Sequence, residues 1–156
     1  MTDPRAAPLR PPYPAIALLS AAALAYEILL MRLFSIIQWH HFAYMMISVA
    51  LLGYGAAGAM VTLAQNPLRA RFTAAFATAA GLFGATALLA FLAAQQTGFN
   101  ALEILWDPRQ LGRLAVIYLL LLVPFFCAAV ALCLSFTRFP DYIPRLYAAD
   151  ILGAAA

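Results

Sequence analysis

Charged residues are scarce in this 156-residue sequence, and lysine is absent from it. Only 10% of the residues carry a charge, whereas soluble domains have about 25%, so the sequence does not fit a soluble globular domain. All nine basic residues are arginines, and they are spread along the chain rather than gathered in a run. Since this distribution gives no basic patch, we expect no nucleic acid among the partners.

Residues that bind metals or form disulfides are equally few. The two cysteines, Cys127 and Cys133, are six positions apart, which places them about 240° apart around a helix and predicts neither a disulfide nor a metal site. The two histidines, His40 and His41, are adjacent and would point apart on a turn. The sequence has no phosphate-binding loop, nucleophile triad or CxxC motif. We therefore predict no catalytic residue, no cofactor and no metal in these residues.

Long apolar runs dominate the sequence instead. Hydrophobic residues make up 66% of it and its mean hydropathy is +0.91, values typical of an integral membrane protein. The runs long enough to cross a bilayer core of about 30 Å as helices cover residues 14–37, 42–64, 72–94 and 114–136. A fifth helix is predicted to begin at about residue 145, but up to Ala156 it is too short to cross. The sequence thus predicts an all-α integral membrane fold: a bundle of four transmembrane helices plus an incomplete fifth helix and a short interfacial helix.

Arginines mark the ends of the predicted spans and so predict the orientation of the bundle. The N-terminal tail, the 65–71 connection and the 137–147 connection each carry two arginines, whereas the 38–41 turn carries none. The exception is the 95–113 connection, which this pattern places outside although it carries Arg109 and Arg113, offset by Glu103 and Asp107. Because positive residues are retained in the cytoplasm, we expect a multi-pass protein of the cell inner membrane with a cytoplasmic N-terminus. The proline-rich residues 1–13 are then a cytoplasmic tail, and residues 14–156 form the transmembrane bundle.

The connection after the third span has a pattern typical of a short helix lying in the membrane interface. Asn100 and Glu103 have the spacing of a capping box, which predicts a helix over residues 100–106 that stops before Pro108. The alternative is a plain loop with one aromatic anchor. Aromatic and imidazole groups favour the boundary between lipid and water, so we place four residues at the outer interface: Trp39, His40, His41 and Trp106.

Three ionisable residues within predicted helices are the main candidates for a functional site. Glu27 is in the middle of the first span, Arg32 follows five residues later, and Asp150 lies in the fifth helix. A charge in hydrocarbon costs roughly 3 kcal/mol, so such a residue is expected to face a partner, a cavity or the bundle interior. Arg32 is about 140° from Glu27 around the helix, so each charge needs a partner on another helix. Two interpretations remain open: a polar clamp that fixes the bundle, or a ligand or proton site.

Small residues form one stripe on the second span and another on the third. Such stripes let membrane helices approach closely, so the sequence predicts tight packing along both of them. The residues concerned are Ser48, Gly55, Gly58 and Ala59 in the second span, and Ala77, Ala80 and Gly84 in the third.

Three segments of the chain resemble the membrane region of spermidine-synthase-like multi-pass bacterial membrane proteins. The segments are residues 23–35 (ALAYEILLMRLFS), 51–58 (LLGYGAAG) and 145–155 (RLYAADILGAA). Glu27 and Arg32 match the Glu-x4-Arg element of these proteins, and Arg145, Tyr147, Asp150 and Gly153 match the start of a later helix. The resemblance implies a hydrophobic N-terminal bundle that precedes a domain of the aminopropyltransferase or methyltransferase fold. It covers most of this chain but only the front of the family, and it supplies no role for the matching residues.

Three classes of function follow, in this order. The first is a structural or anchoring membrane module of a spermidine-synthase-like protein, with the enzyme activity in a domain beyond these residues. The second is an accessory or assembly subunit packed against a larger membrane complex, with the lipid bilayer and other membrane helices or subunits as partners. The third is part of a transporter, because residues 58–71 also resemble the loop between spans two and three of major-facilitator transporters, although they lack its aspartate.

Overall fold

The computed structural model describes residues 11–37, 40–96 and 108–156, and within the helices it does not describe the side chains of residues 37, 40–43 and 108. The described part is almost entirely helical and contains no strand. In chain order the helices are α1 (Tyr13–Ile37), α2 (His40–Leu63), α3 (Gln65–Ala70), α4 (Phe72–Gln96), α5 (Pro108–Arg138) and, after a 3-10 turn at Pro140–Tyr142, α6 (Ile143–Ala154). Four of these helices, α1, α2, α4 and α5, are long and apolar enough to cross a membrane.

The long helices coincide with the predicted apolar runs, but two of them begin earlier than predicted. α2 begins at His40, so His40 and His41 lie in its first turn rather than in a tight turn before it. α5 begins at Pro108, the residue predicted to end the preceding segment. Proline is favourable at the first position of a helix, because the N–H that it lacks would have no partner there. The predicted interfacial helix over 100–106 lies outside the described residues.

The long helices alternate in direction. Two apolar clusters show this, because each of them combines the starts of two long helices with the ends of the other two. One cluster joins residues near the start of α1 and α4 with residues near the end of α2 and α5, among them Ile16, Phe72, Val61 and Leu134. The other cluster joins the opposite ends and includes Phe34 of α1. The four helices therefore run up and down in turn as an antiparallel bundle.

α5 is the central helix of this bundle. The second half of α5 is its most deeply buried segment, and α2 and α4 both pack along α5. The α2 backbone approaches closely at Gly53, where an added Cβ would lie 3.0 Å from the Cβ of Phe125 and 3.1 Å from the backbone nitrogen of Phe126. α1 packs against α2 and α6. The bundle is thus built around α5, and α6 packs mainly against α1.

The predicted stripes of small residues do not make the contacts of this bundle. The exposed members are Ser48, Gly55, Ala59, Ala77 and Gly84. Nothing lies within 4 Å of a Cβ added at Gly55, Gly58 or Gly84, and only Ala80 packs against a core cluster. The stripes therefore make almost no close contact among the described residues of this chain, and tight packing along them stays a prediction. A stripe of small residues permits close approach in lipid but does not require it, because small and large apolar residues are compatible with either side of a membrane helix.

Candidate functional site

Two polar residues, Ser20 and Asp150, meet where α6 packs on α1. Ser20 is 5% exposed, and its hydroxyl donates a hydrogen bond to the carboxylate of Asp150. The same hydroxyl lies 2.9 Å from the carbonyl oxygen of Ile16, one turn earlier in α1. Asp150 therefore has a partner on α1, and this pair joins the first and last described helices.

A glycine three residues after Asp150 makes this contact possible. A Cβ added at Gly153 would lie 2.6 Å from the Cα of Ala17, closer than real Cβ atoms approach other atoms. The α6 backbone therefore rests directly on the α1 backbone. Leu146, one turn before Asp150, is fully buried and belongs to the same apolar cluster as Ile16. One face of α6 thus carries an apolar anchor, a polar contact and a close backbone approach.

Glu27 lies about two turns beyond Ser20 on the same face of α1 and is half-buried. Its neighbours on this face, Ala23 and Leu30, are each 1% exposed, so the face is directed into the bundle. Glu27 nevertheless makes no hydrogen bond or ion pair with any described residue. The hydroxyl of Tyr54 on α2 lies within electrostatic range of the Glu27 carboxylate. The predicted donor to Glu27 is thus not found on a helix of the described chain, and a donor from another subunit stays a prediction.

Arg32 lies on the opposite, exposed face of α1. No carboxylate in the described ranges forms an ion pair with it. The exposed face repeats with the period of a helix and consists of Leu18, Ala22, Ala25, Leu29, Arg32 and Ile36. Of the three predicted intramembrane charges, the structure thus brings Asp150 to α1 and leaves Glu27 and Arg32 without a partner among the residues that it describes.

Two tyrosines in the bundle were not predicted as site residues. The hydroxyl of Tyr26 donates to the carbonyl oxygen of Ala87 at 3.2 Å, which links α1 to α4. Its ring meets that of Phe83 edge-on, with centroids 6.3 Å apart. The Tyr54 hydroxyl is within electrostatic range of both the Glu27 and the Asp150 carboxylates. The signal in the sequence was a tyrosine inside an apolar run, because a phenol hydroxyl in a dry core needs a hydrogen-bond partner.

The other predicted site residues are only partly described. Trp39 and Trp106 lie outside the described residues, and for His40 and His41 only the backbone position in α2 is given. Cys127 and Cys133 are both free thiols. Among the described residues, no three His, Cys, Asp or Glu side chains lie close enough together to hold a metal ion. The placement of the aromatic and histidine residues at the outer interface stays a prediction.

The contact between Ser20 and Asp150 should be measurable as a coupling energy. In a double-mutant cycle with Ser20→Ala and Asp150→Ala, we expect a coupling of about 0.5–2 kcal/mol, the range of hydrogen bonds between membrane helices. The measurement is the free energy of unfolding in detergent of four purified proteins: the wild type, the two single variants and the double variant. The control pairs Asp150→Ala with Thr78→Ala, because the Thr78 hydroxyl bonds only carbonyl oxygens of its own helix. Equal coupling in the two cycles would contradict the contact.

The site combines three ionisable residues of the described helices. It holds one bonded carboxylate, one unpaired carboxylate and one exposed cation, all on or against α1. No protein-family model, curated protein or solved structure matches this chain.

Proposed function

We propose that this chain is a helical membrane module with a structural role, in which α1 docks against a helix of another subunit or domain. The observation that carries the proposal is that Glu27 and Arg32, both within α1, have no partner among the described residues. An ionisable side chain within a span is costly unless another group or a cavity receives it. Because the two side chains are about 140° apart around α1, they need groups on two sides of this helix: an acceptor for Arg32 on the exposed side, and a donor for Glu27 beside the buried face.

The shape of α1 is consistent with such docking. One side of the helix is occupied by α2 and α6, while the side that carries Arg32 is exposed along its length. Ala22 and Ala25 lie on this exposed side, where small residues allow a neighbouring helix to come close. The exposed side therefore combines a charge that lacks a partner with space for a helix.

We further propose that the module is the membrane part of a spermidine-synthase-like protein. The resemblance rests chiefly on residues 23–35 and 145–155, which lie on α1 and α6, the two helices joined by Ser20 and Asp150. Two of the matching residues, Asp150 and Gly153, lie at the contact between these helices, which supports an anchoring role for those two. Aminopropyl transfer is assigned to no residue of this chain, and the activity would belong to a domain beyond it.

The accessory subunit is the second candidate function, because unpaired intramembrane charges are equally suited to a partner encoded elsewhere. The gene sequence after codon 156 distinguishes the two candidates. A glycine-rich strand-to-helix motif downstream supports the spermidine-synthase-like protein. A stop codon, together with a subunit that co-purifies with the chain, supports the accessory subunit.

The ends of the helices support a position in the inner membrane with a cytoplasmic N-terminus. Arg69, Arg71 and Arg138 lie around one end of the bundle, at the start of α4 and the end of α5. Since the helices alternate in direction, the start of α1 belongs to this same end. Arginines favour the cytoplasmic side, which is the basis for this orientation.

Photo-crosslinking in native membranes tests the docking of α1. A photoreactive residue at Ala25 should give a protein adduct, because Ala25 lies on the exposed side of α1 that carries Arg32. The matched control is Leu119 of α5, which is 65% exposed on another helix. We expect a discrete adduct from position 25 and only lipid adducts from position 119. Lipid adducts alone at both positions would contradict the proposal.

A further inference from the structure

A basic pocket lies at the end of the bundle where α3, α4 and α5 meet. It has a volume of about 300 Å³ and is lined by Arg69, Arg71 and Arg138, by Thr73, and by the first residues of α4. Arg69 and Arg71 are exposed, whereas Arg138 is partly buried. The arginines come from two distant parts of the sequence, so the fold, and not a local run of charge, creates the pocket.

Aromatic contacts fix the walls of this pocket. The rings of Phe72 and Phe139 meet edge-on with centroids 5.3 Å apart, which ties the start of α4 to the end of α5. The guanidinium carbon of Arg138 lies 5.8 Å from the centroid of the Phe139 ring. Arg138 is therefore held beside the α4 start by packing, independently of any ligand.

No negative charge of the described chain balances these three arginines. None of them forms an ion pair with a described carboxylate, and that includes Asp141, the acidic residue closest to Arg138 in sequence. The Nε of Arg138 is buried and has no hydrogen-bond partner among the described atoms. A buried charged donor without an acceptor is costly and uncommon. The pocket therefore lacks an anionic acceptor.

The start of α4 adds further donors at the same place. The backbone N–H of Ala75 bonds to the carbonyl oxygen of Arg71 at 2.9 Å, so the N–H groups of residues 72–74 precede the first bond of the helix. These groups have no acceptor within the helix, and the helix dipole favours a negative charge beside them. α4 has 25 residues, so its dipole is that of a long helix. The Thr73 side chain lines the pocket as well and offers a hydroxyl.

We propose that this pocket binds a phosphate group, carried by the headgroup of an anionic phospholipid. Guanidinium groups and helix N-termini are the usual ligands of phosphate oxygens in proteins. The pocket lies at the ends of two apolar helices that are long enough to cross a membrane, which is the depth of lipid headgroups. A soluble phosphate monoester has the same chemistry, and the experiment separates the two sources.

Lipid binding to the purified protein in detergent tests the proposal. The probes are phosphatidylglycerol, phosphatidylcholine and glycerol phosphate, and binding is measured by native mass spectrometry and by the shift in thermal unfolding. We expect phosphatidylglycerol to bind and the other two to have little effect. Because one arginine near a membrane surface contributes about 1 kcal/mol, Arg69→Gln and Arg71→Gln should each weaken phosphatidylglycerol binding about fivefold.

Arg138→Gln should weaken phosphatidylglycerol binding by about tenfold or more, because Arg138 is the partly buried arginine of the pocket. The matched control is Arg145→Gln, which removes an exposed arginine of α6 that does not line the pocket and should leave binding unchanged. If Arg138→Gln does not fold, the double variant Arg69→Gln/Arg71→Gln gives the answer, since both residues are exposed. Unchanged phosphatidylglycerol binding in the double variant would overturn the proposal. Glycerol phosphate binding as tight as phosphatidylglycerol, and lost in the same variants, would support a phosphate site but overturn its assignment to lipid.

Discussion

Gly153→Ala should lower the free energy of unfolding of this bundle by roughly 1–3 kcal/mol, although alanine is the better helix former. The new methyl group would lie 2.6 Å from the Cα of Ala17, and backbone atoms cannot rotate away as a side chain can. α6 would have to move outward from α1. That movement would loosen the hydrogen bond between Ser20 and Asp150 and the packing of Leu146 in the core.

The matched control for this prediction is Gly84→Ala. Nothing lies within 4 Å of an added Cβ at Gly84, so the same substitution meets open space there. We expect the control to be neutral or to stabilise the bundle by about 0.5–1 kcal/mol, the gain of replacing a glycine inside a helix. Denaturant titration in detergent micelles measures both variants. Equal stability of Gly153→Ala and Gly84→Ala would show that α6 does not rest on the α1 backbone.

The helices could be predicted from the sequence because each long apolar run is itself the signal. A run that must cross hydrocarbon satisfies its backbone only as a helix, so the four spans follow from length and composition. The first and last residues of the helices are harder to predict, because the helix ends and the connections between helices are short and polar. α2 began at His40 and α5 at Pro108, in both cases before the apolar run itself.

The inward faces of the helices could not be predicted in the same way. In lipid, small residues and large apolar residues are both compatible with either side of a helix, so periodicity does not identify the buried face. The buried glycine of α2 is Gly53, opposite Phe125, and not Gly55 of the predicted stripe. The same holds for α4, where Phe83 is buried and Gly84 is exposed.

The residues of the candidate site could be predicted from the sequence, but the contacts that they make could not. Glu27, Arg32 and Asp150 are recognisable because charge is rare within these helices. The partner of Asp150 is Ser20, which is 130 positions away, and no local rule connects the two. The arginines at positions 69, 71 and 138 were interpreted only as orientation signals, because their convergence around one pocket depends on the tertiary fold.

The second large effect is expected at Glu27. Glu27→Leu should weaken the association of this chain with the partner that donates to Glu27 by about tenfold or more, because losing a charge-assisted hydrogen bond costs about 1.5–3 kcal/mol. Glu27→Gln keeps the shape and much of the hydrogen bonding, so it should retain more of the association than Glu27→Leu. A proton or cation site at Glu27 would behave differently: both variants would lose function while the assembly stayed intact.

Thr78→Leu is the matched control for Glu27→Leu. It also replaces a polar residue within a span by leucine, but the Thr78 side chain is exposed and bonds only carbonyl oxygens of α4. The fold of the isolated chain should be retained in all three variants, because Glu27 makes no hydrogen bond or ion pair with the described residues. A loss of helical content in Glu27→Leu alone would point instead to a clamp inside this chain.

The mass of the assembly extracted from native membranes in mild detergent tests the central claim most directly. One chain has a mass of 16.8 kDa, and light scattering or native mass spectrometry distinguishes a free chain from a bound one. We predict that the wild-type chain and Thr78→Leu have a larger protein mass than one chain, and that Glu27→Leu releases the free 16.8 kDa chain. A wild-type chain that is free under these conditions, or an assembly that Glu27→Leu leaves unchanged, would contradict the account.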